Sequence, residues 1–316
     1  MALSVFPFLI SCVDSPQEIK ASKVDKLPNQ LILDAKFSAD GKTLALLEPK
    51  SLMVWQTEPL EKIEQWYFGK NAAPQRYVTI SENGKVFASA SEKSISILTL
   101  ENKKTLSYQV NGFSQYAKIS TIKLSPLANK LFIGLTEGSL VIFDLHNNTK
   151  QRFQVHDAAI AFIEPQNSGQ LVFTASHDGT IKRLEEGGHT QLLVKSDSRI
   201  TSLKAAPSKK QLFYSDALNG QKVIDLSNAT ALYELSYAER LKTFRNAAFI
   251  ANGKKLVTTS SKSELSVWEL TTGKQLSAGN VTSSGTSSTT LDLVELNPNQ
   301  LLTITSDGYL ESWKIQ

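Results

Sequence analysis

Residues 171–186 read LVFTASHDGTIKRLEE, in which Asp178-Gly179 separates two runs rich in apolar and β-branched residues. An Asp-Gly pair between two such runs is typical of a tight β-hairpin, because glycine readily adopts the positive φ angle that the turn requires. The same pair recurs at 307–308, close to the end of the chain. The pattern therefore predicts similar hairpins in distant parts of the sequence.

Turn-forming clusters such as SADGK at 38 and SENGK at 81 recur along the whole chain. The apolar run after each cluster begins in steps of 42, 45, 40, 41, 44 and 45 residues, at Leu44, Val86, Leu131, Leu171, Leu212, Leu256 and Leu301. A bulky residue in the next run recurs in steps of 43, 45, 41, 40, 44 and 45, at Trp55, Leu98, Phe143, Leu184, Ile224, Trp268 and Trp313. Both sets of positions recur with nearly the same steps, which indicates seven copies of one structural unit.

Each unit contains four short strand-like runs separated by Gly, Pro, Asn, Asp and Ser; in the sixth they are FRNAAFI, KLVTTS, ELSVWEL and KQLSAG. A lone four-stranded sheet leaves both apolar faces in water, whereas sheets stacked radially bury them against one another. The runs lack the 3.6-residue period of helical repeats. The sequence therefore predicts an all-β fold, a seven-bladed β-propeller with four-stranded antiparallel blades.

The seventh unit reaches Gln316 after only three strands, and an unpaired edge is a liability. Residues 18–25, EIKASKVD, precede the first unit and are predicted to supply the missing strand. The propeller then covers residues 18–316 in one domain. Its predicted blades cover approximately 30–70, 71–112, 113–156, 157–196, 197–240, 241–284, and 285–316 together with 18–25.

The segment ASHDGTIKRLEE at 175–186 resembles the second strand, turn and third strand of a WD40 repeat, with Leu184-Glu185 where the family has Trp-Asp. The stretches SVWEL, VIFDL and SDGYLESWK are similar to the same part of the repeat, and the resemblance covers roughly residues 30–316. It implies a structural hydrogen-bond network in which Asp178 bonds His156, with Ser176 nearby. On this interpretation the histidine holds two segments together and carries no catalytic role.

The net charge of +4 is small for 316 residues and argues against a dedicated nucleic-acid binder, which normally carries a strongly basic stripe. The four histidines show no spacing typical of a metal site, and the sequence contains no phosphate-binding loop or nucleophile elbow. We therefore expect a monomeric protein without cofactor or metal that binds other proteins and is not an enzyme.

The single cysteine, Cys12, ends an uncharged apolar stretch, MALSVFPFLISC. Its last four residues fit the bacterial lipobox, in which the cysteine receives a diacylglycerol after residues 1–11 are cleaved as a signal segment. Residues 12–17 would then be a tether, and Val13 after the cysteine favours the outer membrane, facing the periplasm. The stretch has no Lys or Arg before its apolar run, as a signal sequence normally has. The alternative is a cytoplasmic WD40 adaptor with a packed or disordered terminus.

The favoured function is a scaffold for protein–protein interaction in the bacterial cell envelope. Basic residues precede the first strands of four units: Arg76, Lys118, Arg199 and Arg245. If they surround the mouth of the central channel, they can bind an acidic peptide or a carboxylate-rich protein surface.

Two alternatives remain open. A propeller hydrolase or lactonase would hold a metal at the channel with residues such as His156, Asp157, Asp292 and Asp307. A carbohydrate-binding protein would use exposed aromatic residues, and the run Trp66-Tyr67-Phe68 is the candidate, although alternation predicts that Trp66 or Tyr67 packs between blades.

Overall fold

The computed structural model describes residues 15–28, 31–206, 210–218, 220–236, 243–285 and 288–315. These residues form 29 β-strands and a single turn of 3-10 helix, Asn167–Gly169. Two strands come before the first blade: β1 (Gln17–Glu18) and β2 (Ala21–Lys26). The remaining strands follow the repeat that the turn clusters predict.

The strands of the first three blades are β3 (Asp34–Phe37), β4 (Thr43–Leu47), β5 (Ser51–Gln56) and β6 (Glu61–Tyr67); β7 (Tyr77–Ile80), β8 (Val86–Ala90), β9 (Ser94–Thr99) and β10 (Thr105–Gln109); and β11 (Ile119–Leu124), β12 (Lys130–Leu135), β13 (Ser139–Asp144) and β14 (Thr149–Gln154). Those of the fourth and fifth are β15 (Ile160–Gln166), β16 (Leu171–Ser176), β17 (Thr180–Glu185) and β18 (Thr190–Lys195); and β19 (Ile200–Ala205), β20 (Gln211–Asp216), β21 (Gln221–Asp225) and β22 (Ala231–Glu234). Those of the sixth and seventh are β23 (Phe244–Ile250), β24 (Lys255–Ser260), β25 (Glu264–Glu269) and β26 (Gln275–Asn280); and β27 (Thr290–Asn297), β28 (Gln300–Thr305) and β29 (Tyr309–Lys314).

The strands form seven separate antiparallel meanders, which confirms the predicted seven-bladed propeller. The first strand of each blade lies innermost, and these inner strands contact one another in cyclic order: β3, β7, β11, β15, β19, β23, β27 and again β3. Because the last inner strand contacts the first, the ring is closed.

The hydrophobic core is divided among the seven interfaces between blades. Each of seven clusters of buried residues joins side chains of two neighbouring blades. For example, Leu44 of the first blade and Ile304 of the seventh belong to the same cluster. This is the burial that radial stacking of the repeats requires, because both faces of each sheet are covered.

The N-terminal segment fastens the ring at two places. Strand β2 pairs antiparallel with β29 and supplies the fourth strand of the seventh blade, so the predicted closure is confirmed, with its strand observed at Ala21–Lys26. The short strand β1 pairs parallel with β26 and adds a fifth strand to the sixth blade. The backbone N–H of Ile19 extends this pairing by donating to the carbonyl of Ala278 at 2.9 Å. The sequence did not predict this second attachment.

Candidate functional site

The antiparallel meander brings two sets of loops to one side of the ring. We call this side the upper face: it comprises the loops from each outer strand to the next inner strand and the loops between second and third strands. The network residue Asp178 lies in a loop of the second kind, and His156 lies in a loop of the first kind, four residues before β15. The predicted basic residues also lie at this end of the inner strands.

His156 is buried and both of its ring nitrogens have partners. The Nδ1 atom lies 2.8 Å from Thr180 Oγ1 and 3.3 Å from Asp178 Oδ2, and the Nε2 atom lies 2.9 Å from Thr174 Oγ1. The Asp178 carboxylate also accepts the backbone N–H of Asp157 at 3.0 Å. The network therefore joins the loop that precedes the fourth blade to the hairpin inside that blade.

Ser176 and Gly179 fix the shape of this hairpin. The Ser176 hydroxyl donates to the carbonyl of Ala158 at 3.1 Å and accepts the backbone N–H of Asp178 at 3.1 Å. Gly179 has a φ of +81°, and a Cβ atom there would lie 2.3 Å from the carbonyl oxygen of Ser196. Any side chain at this position would therefore clash, in addition to the strain of positive φ.

The hydrogen bonds assign the proton on His156. Because the Thr180 hydroxyl donates to Asp178 Oδ1 at 2.7 Å, its oxygen is free to accept from Nδ1–H. Thr174 Oγ1 lies closer to Nε2, at 2.9 Å, than to the carbonyl oxygen of Lys182, at 3.4 Å, so we assign its hydrogen to Nε2. Burial lowers the pKa of His156 to about 4, although the nearby Asp178 carboxylate acts in the opposite direction. His156 is therefore a neutral, internally bonded residue near pH 7.

Residues 147–182, which contain His156 and Asp178, match the family model described as WD40: WD domain, G-beta repeat. The chain is a seven-bladed β-propeller that contains a WD40 repeat. The matched segment runs from the outer strand of the third blade into the third strand of the fourth. A search of the curated proteins finds no match to the chain.

Two other blades contain a related part of this network. In the sixth and seventh blades a buried tryptophan donates its indole N–H to a threonine of the second strand, Trp268 to Thr258 at 2.9 Å and Trp313 to Thr303 at 3.0 Å. These tryptophans are two of the bulky residues that marked the repeat. The repeat landmark therefore coincides with a structural hydrogen bond.

In the seventh blade a buried carboxyl group joins the upper-face loop to the sheet. Glu311 accepts the backbone N–H of Thr282 at 2.8 Å and lies 3.1 Å from the hydroxyl of Thr303. Burial raises the pKa of Glu311, and the hydrogen bonds from Thr282 and Thr303 only partly oppose it. No pattern in the sequence identified this residue, because it lies in an ordinary strand position.

Asp307 accepts several hydrogen bonds from the Ser/Thr-rich loop at 282–290. Its carboxylate accepts hydrogen bonds from the hydroxyls of Ser284, Ser288 and Thr305 at 2.8, 2.6 and 2.7 Å. Burial opposes ionisation, but these hydrogen bonds and the backbone N–H of Ser284 outweigh it and lower the pKa of Asp307. Hydrogen bonds therefore join the described part of this loop to the Asp307-Gly308 hairpin, which corresponds to the Asp178-Gly179 hairpin of the fourth blade.

Two of the four predicted basic residues share one carboxylate. Arg76 lies 2.8 Å and Lys118 lies 2.9 Å from the oxygens of Glu92, in the loop between the second and third strands of the second blade. The hydrogen bond from Lys118 lowers the pKa of Glu92. Because all three groups are substantially exposed, the pairs contribute little to stability but hold the two cations side by side on the upper face.

The other two basic residues are exposed and lie differently along their blades. Arg199 directly precedes β19, as predicted, and has no ion pair with another described residue. Arg245 was expected before the inner strand of its blade but is the second residue of β23, because that strand already begins with the buried Phe244. It likewise has no ion pair within the described residues.

Charged residues also lie on the inner strands around the axis. Lys123 Nζ is 3.9 Å and Lys204 Nζ is 3.8 Å from the two carboxylate oxygens of Glu164. Burial lowers the pKa of Lys123, and the Glu164 carboxylate only partly opposes this. Asp34 and Asp292 instead accept backbone N–H groups of the next blade, each at 2.9 Å. These two carboxylates therefore fasten neighbouring blades together.

The candidate ligands of a hydrolase are not brought together. Asp292 bonds the backbone of Phe37, Asp307 bonds its serine-rich loop, and His156 and Asp157 both contact Asp178. Among the described residues there is no group of three or more His, Cys, Asp or Glu side chains placed to hold a metal ion.

The aromatic run of the first blade is divided between core and surface. Trp66 packs against Phe87 of the second blade with ring centroids 5.8 Å apart, as alternation predicts, and Phe68 is partly buried in the same cluster. Tyr67 points outwards with 75% of its surface exposed.

Cys12 and the segment 1–11 lie outside the described residues. Within the part of the chain that the structure describes, no helix has the length and apolar character needed to cross a bilayer.

Proposed function

We propose that this WD40 propeller is a non-enzymatic scaffold that binds partner proteins on its upper face. The observation that carries the proposal is the closed contact of the seven inner strands, which holds the upper ends of these strands, and the described loops attached to them, in one fixed array. Fixed loops lose little conformational entropy on binding, so docking there is favoured. WD40 propellers are typically scaffolds of this kind.

The basic residues of the upper face give a first test. Charge reversal at Arg199 and Arg245 together is expected to weaken binding of a captured partner about tenfold, because each exposed ion pair contributes up to about 1 kcal/mol. The partner is first isolated by affinity capture with the wild-type protein, and its affinity for the variant is then measured by surface plasmon resonance.

The matched control is Lys85→Glu, in an exposed turn between the first and second strands and thus on the opposite face. It is expected to leave the affinity unchanged. If the partner bound the wild-type, Lys85→Glu and Arg199→Glu/Arg245→Glu proteins with equal affinity, these arginines would not be part of the partner site.

We further propose that a lipid on Cys12 anchors the scaffold in the bacterial envelope, with Val13 favouring the outer membrane. The support is the lipobox pattern Leu9-Ile10-Ser11-Cys12 and the fact that the chain has a single cysteine. Five chain steps separate Cys12 from Gln17, which is paired to the sixth blade, and an extended chain covers at most about 17 Å over that length. A lipid at Cys12 would therefore keep the outer edge of the sixth blade close to the bilayer.

Replacement of Cys12 by serine tests the anchor. The wild-type protein is expected in the membrane fraction and the detergent phase of a Triton X-114 partition, because two acyl chains give stable membrane binding. The Cys12→Ser variant is expected to move to the soluble and aqueous fractions, without metabolic labelling by radioactive palmitate. A variant that stays with the membranes and keeps the label would exclude the lipid anchor at this residue.

A further inference from the structure

The loop between the second and third blades displays two aromatic side chains to solvent. Residues 110–118 connect β10 to β11, and 57% of Phe113 and 79% of Tyr116 remain exposed. Both residues lie on the upper face. Large apolar side chains in water are common singly, but a neighbouring pair within one short loop marks a candidate contact surface.

The backbone of this loop is held by a single carboxylate of the third blade. Glu137, between β12 and β13, accepts the backbone N–H groups of Phe113 and Ser114 at 2.6 and 2.7 Å and the hydroxyl of Ser139 at 2.8 Å. A Cβ atom at Gly112 would lie 2.3 Å from a Glu137 oxygen and 2.4 Å from the Cβ atom of Ala117, so a larger residue there would displace the carboxylate or the loop. Burial opposes ionisation of Glu137, but these hydrogen bonds outweigh it and lower its pKa.

Two cations hold the loop from the sides. Arg152 donates to the carbonyl oxygens of Asn111 and Gly112, and its guanidinium lies 4.0 Å from the centre of the Phe113 ring. Lys93 Nζ donates to the carbonyl of Gln115 at 2.8 Å. The loop is thus fixed before any partner arrives, and its aromatic groups can make contacts with little loss of entropy.

In this loop and the loops joined to it by ion pairs and hydrogen bonds, cations outnumber carboxylates. Four cations, Arg76, Lys93, Lys118 and Arg152, lie in the same loops or beside them, against the two carboxylates Glu92 and Glu137. Both carboxylates already accept hydrogen bonds from the protein, whereas Arg76 and Lys118 remain substantially exposed. Positive charge around an apolar centre complements an acidic segment with a bulky apolar residue.

We propose that Phe113 and Tyr116, with Arg76, Lys93 and Lys118 around them, form an anchor site for an acidic peptide segment of a partner protein. A leucine, phenylalanine or tryptophan of the peptide packs on the two rings, and its flanking carboxylates face the cations. The inference rests on the proposed scaffold function and specifies where the partner binds and what chemistry it presents.

Selection from a phage library of random dodecapeptides on the immobilised full-length protein is the direct test. Enriched peptides are expected to combine Asp or Glu with a bulky apolar residue, and their affinity, measured by fluorescence polarisation, is expected to fall with rising salt. Tyr116→Ser is expected to weaken binding at least tenfold. Tyr67→Ser removes a tyrosine of similar exposure, 75%, from the outer strand of the first blade and serves as the matched control.

A second variant separates contact from positioning. Glu137→Ala keeps both aromatic residues but removes the acceptor of the Phe113 and Ser114 backbone N–H groups, so it is expected to weaken binding of the same peptides several-fold. Circular dichroism and the melting temperature of both variants report whether the fold is retained.

Several outcomes would overturn the anchor site: no enriched peptide, enrichment of basic or uncharged peptides, equal affinity for the wild-type and Tyr116→Ser proteins, or a Tyr116-dependent dimer in sedimentation. If a captured partner depends on Arg199 and Arg245 but not on Tyr116, the scaffold function stands and the anchor site fails. If affinity capture with the wild-type protein yields no partner, the scaffold function itself fails.

Discussion

Deletion of residues 1–26 is expected to lower the melting temperature by about 10 °C. The deletion removes β2, which pairs with β29 from Ala21↔Trp313 to Lys26↔Tyr309, and leaves the outer edge of the seventh blade open. It also removes Ile19 and Ala21, which pack against the cluster between the sixth and seventh blades. The lost backbone hydrogen bonds and the lost burial together lower the free energy of unfolding by on the order of 4 kcal/mol. In a chain of this size each kcal/mol lowers the melting temperature by roughly 2–3 °C.

Shorter deletions serve as controls for this experiment, in which thermal unfolding is followed by circular dichroism. Deletion of residues 1–16 removes only chain before β1 and is expected to leave the melting temperature unchanged. Deletion of residues 1–20 removes the pairing of β1 with β26 but keeps β2, so a small decrease is expected. If the protein without residues 1–26 had the same melting temperature as the full chain, β2 would not be the strand that holds the ring closed.

The blades could be predicted from the sequence because their signals are local. The Asp178-Gly179 and Asp307-Gly308 hairpins need positive φ at glycine, and both glycines have it, at +81° and +84°. Turn and strand together occupy fewer than twenty residues, so their pattern survives in one segment of sequence. Strand β1 had no such signal, because two exposed residues, Gln17 and Glu18, carry no alternation that predicts pairing with a strand 260 residues away.

The upper face was only partly predictable, since its chemistry depends on contacts between blades. The sequence identified Arg76 and Lys118 as basic residues at equivalent positions, but not that Glu92 pairs with both. Nor could it show that Glu137 holds the backbone of Phe113 from 24 residues away. Such partners come together only when loops of different blades are placed on the same face.

Acidification from pH 7.5 to pH 4.5 is expected to lower the free energy of unfolding of the wild-type protein by about 2–3 kcal/mol through His156 alone. The pKa of this buried histidine falls from 6.5 to about 4 on folding, because burial in the fourth blade disfavours the imidazolium. Between these two values the unfolded chain binds a proton that the native protein does not bind. The free energy of unfolding therefore decreases as the pH falls through this window, by about 1.4 kcal/mol for each unit well inside it.

The variant His156→Gln isolates this contribution. Glutamine has no titrating group. The stability of the variant, from urea unfolding at each pH, is therefore expected to fall by about 2–3 kcal/mol less than that of the wild-type protein between pH 7.5 and pH 4.5. The variant is less stable than the wild-type protein at pH 7.5, because a buried hydrogen bond is lost. His189→Gln, at an exposed histidine, is the matched control and should follow the wild-type curve. Asp178 does not contribute to the difference between the curves. Burial opposes ionisation of its carboxyl group, but its hydrogen bonds outweigh burial and lower its pKa from 3.8. The carboxylate therefore stays ionised between pH 7.5 and pH 4.5. Parallel curves for the wild-type and His156→Gln proteins would mean that the histidine takes up its proton in the folded blade, and that the bonds to Thr174 and Thr180 do not keep it neutral.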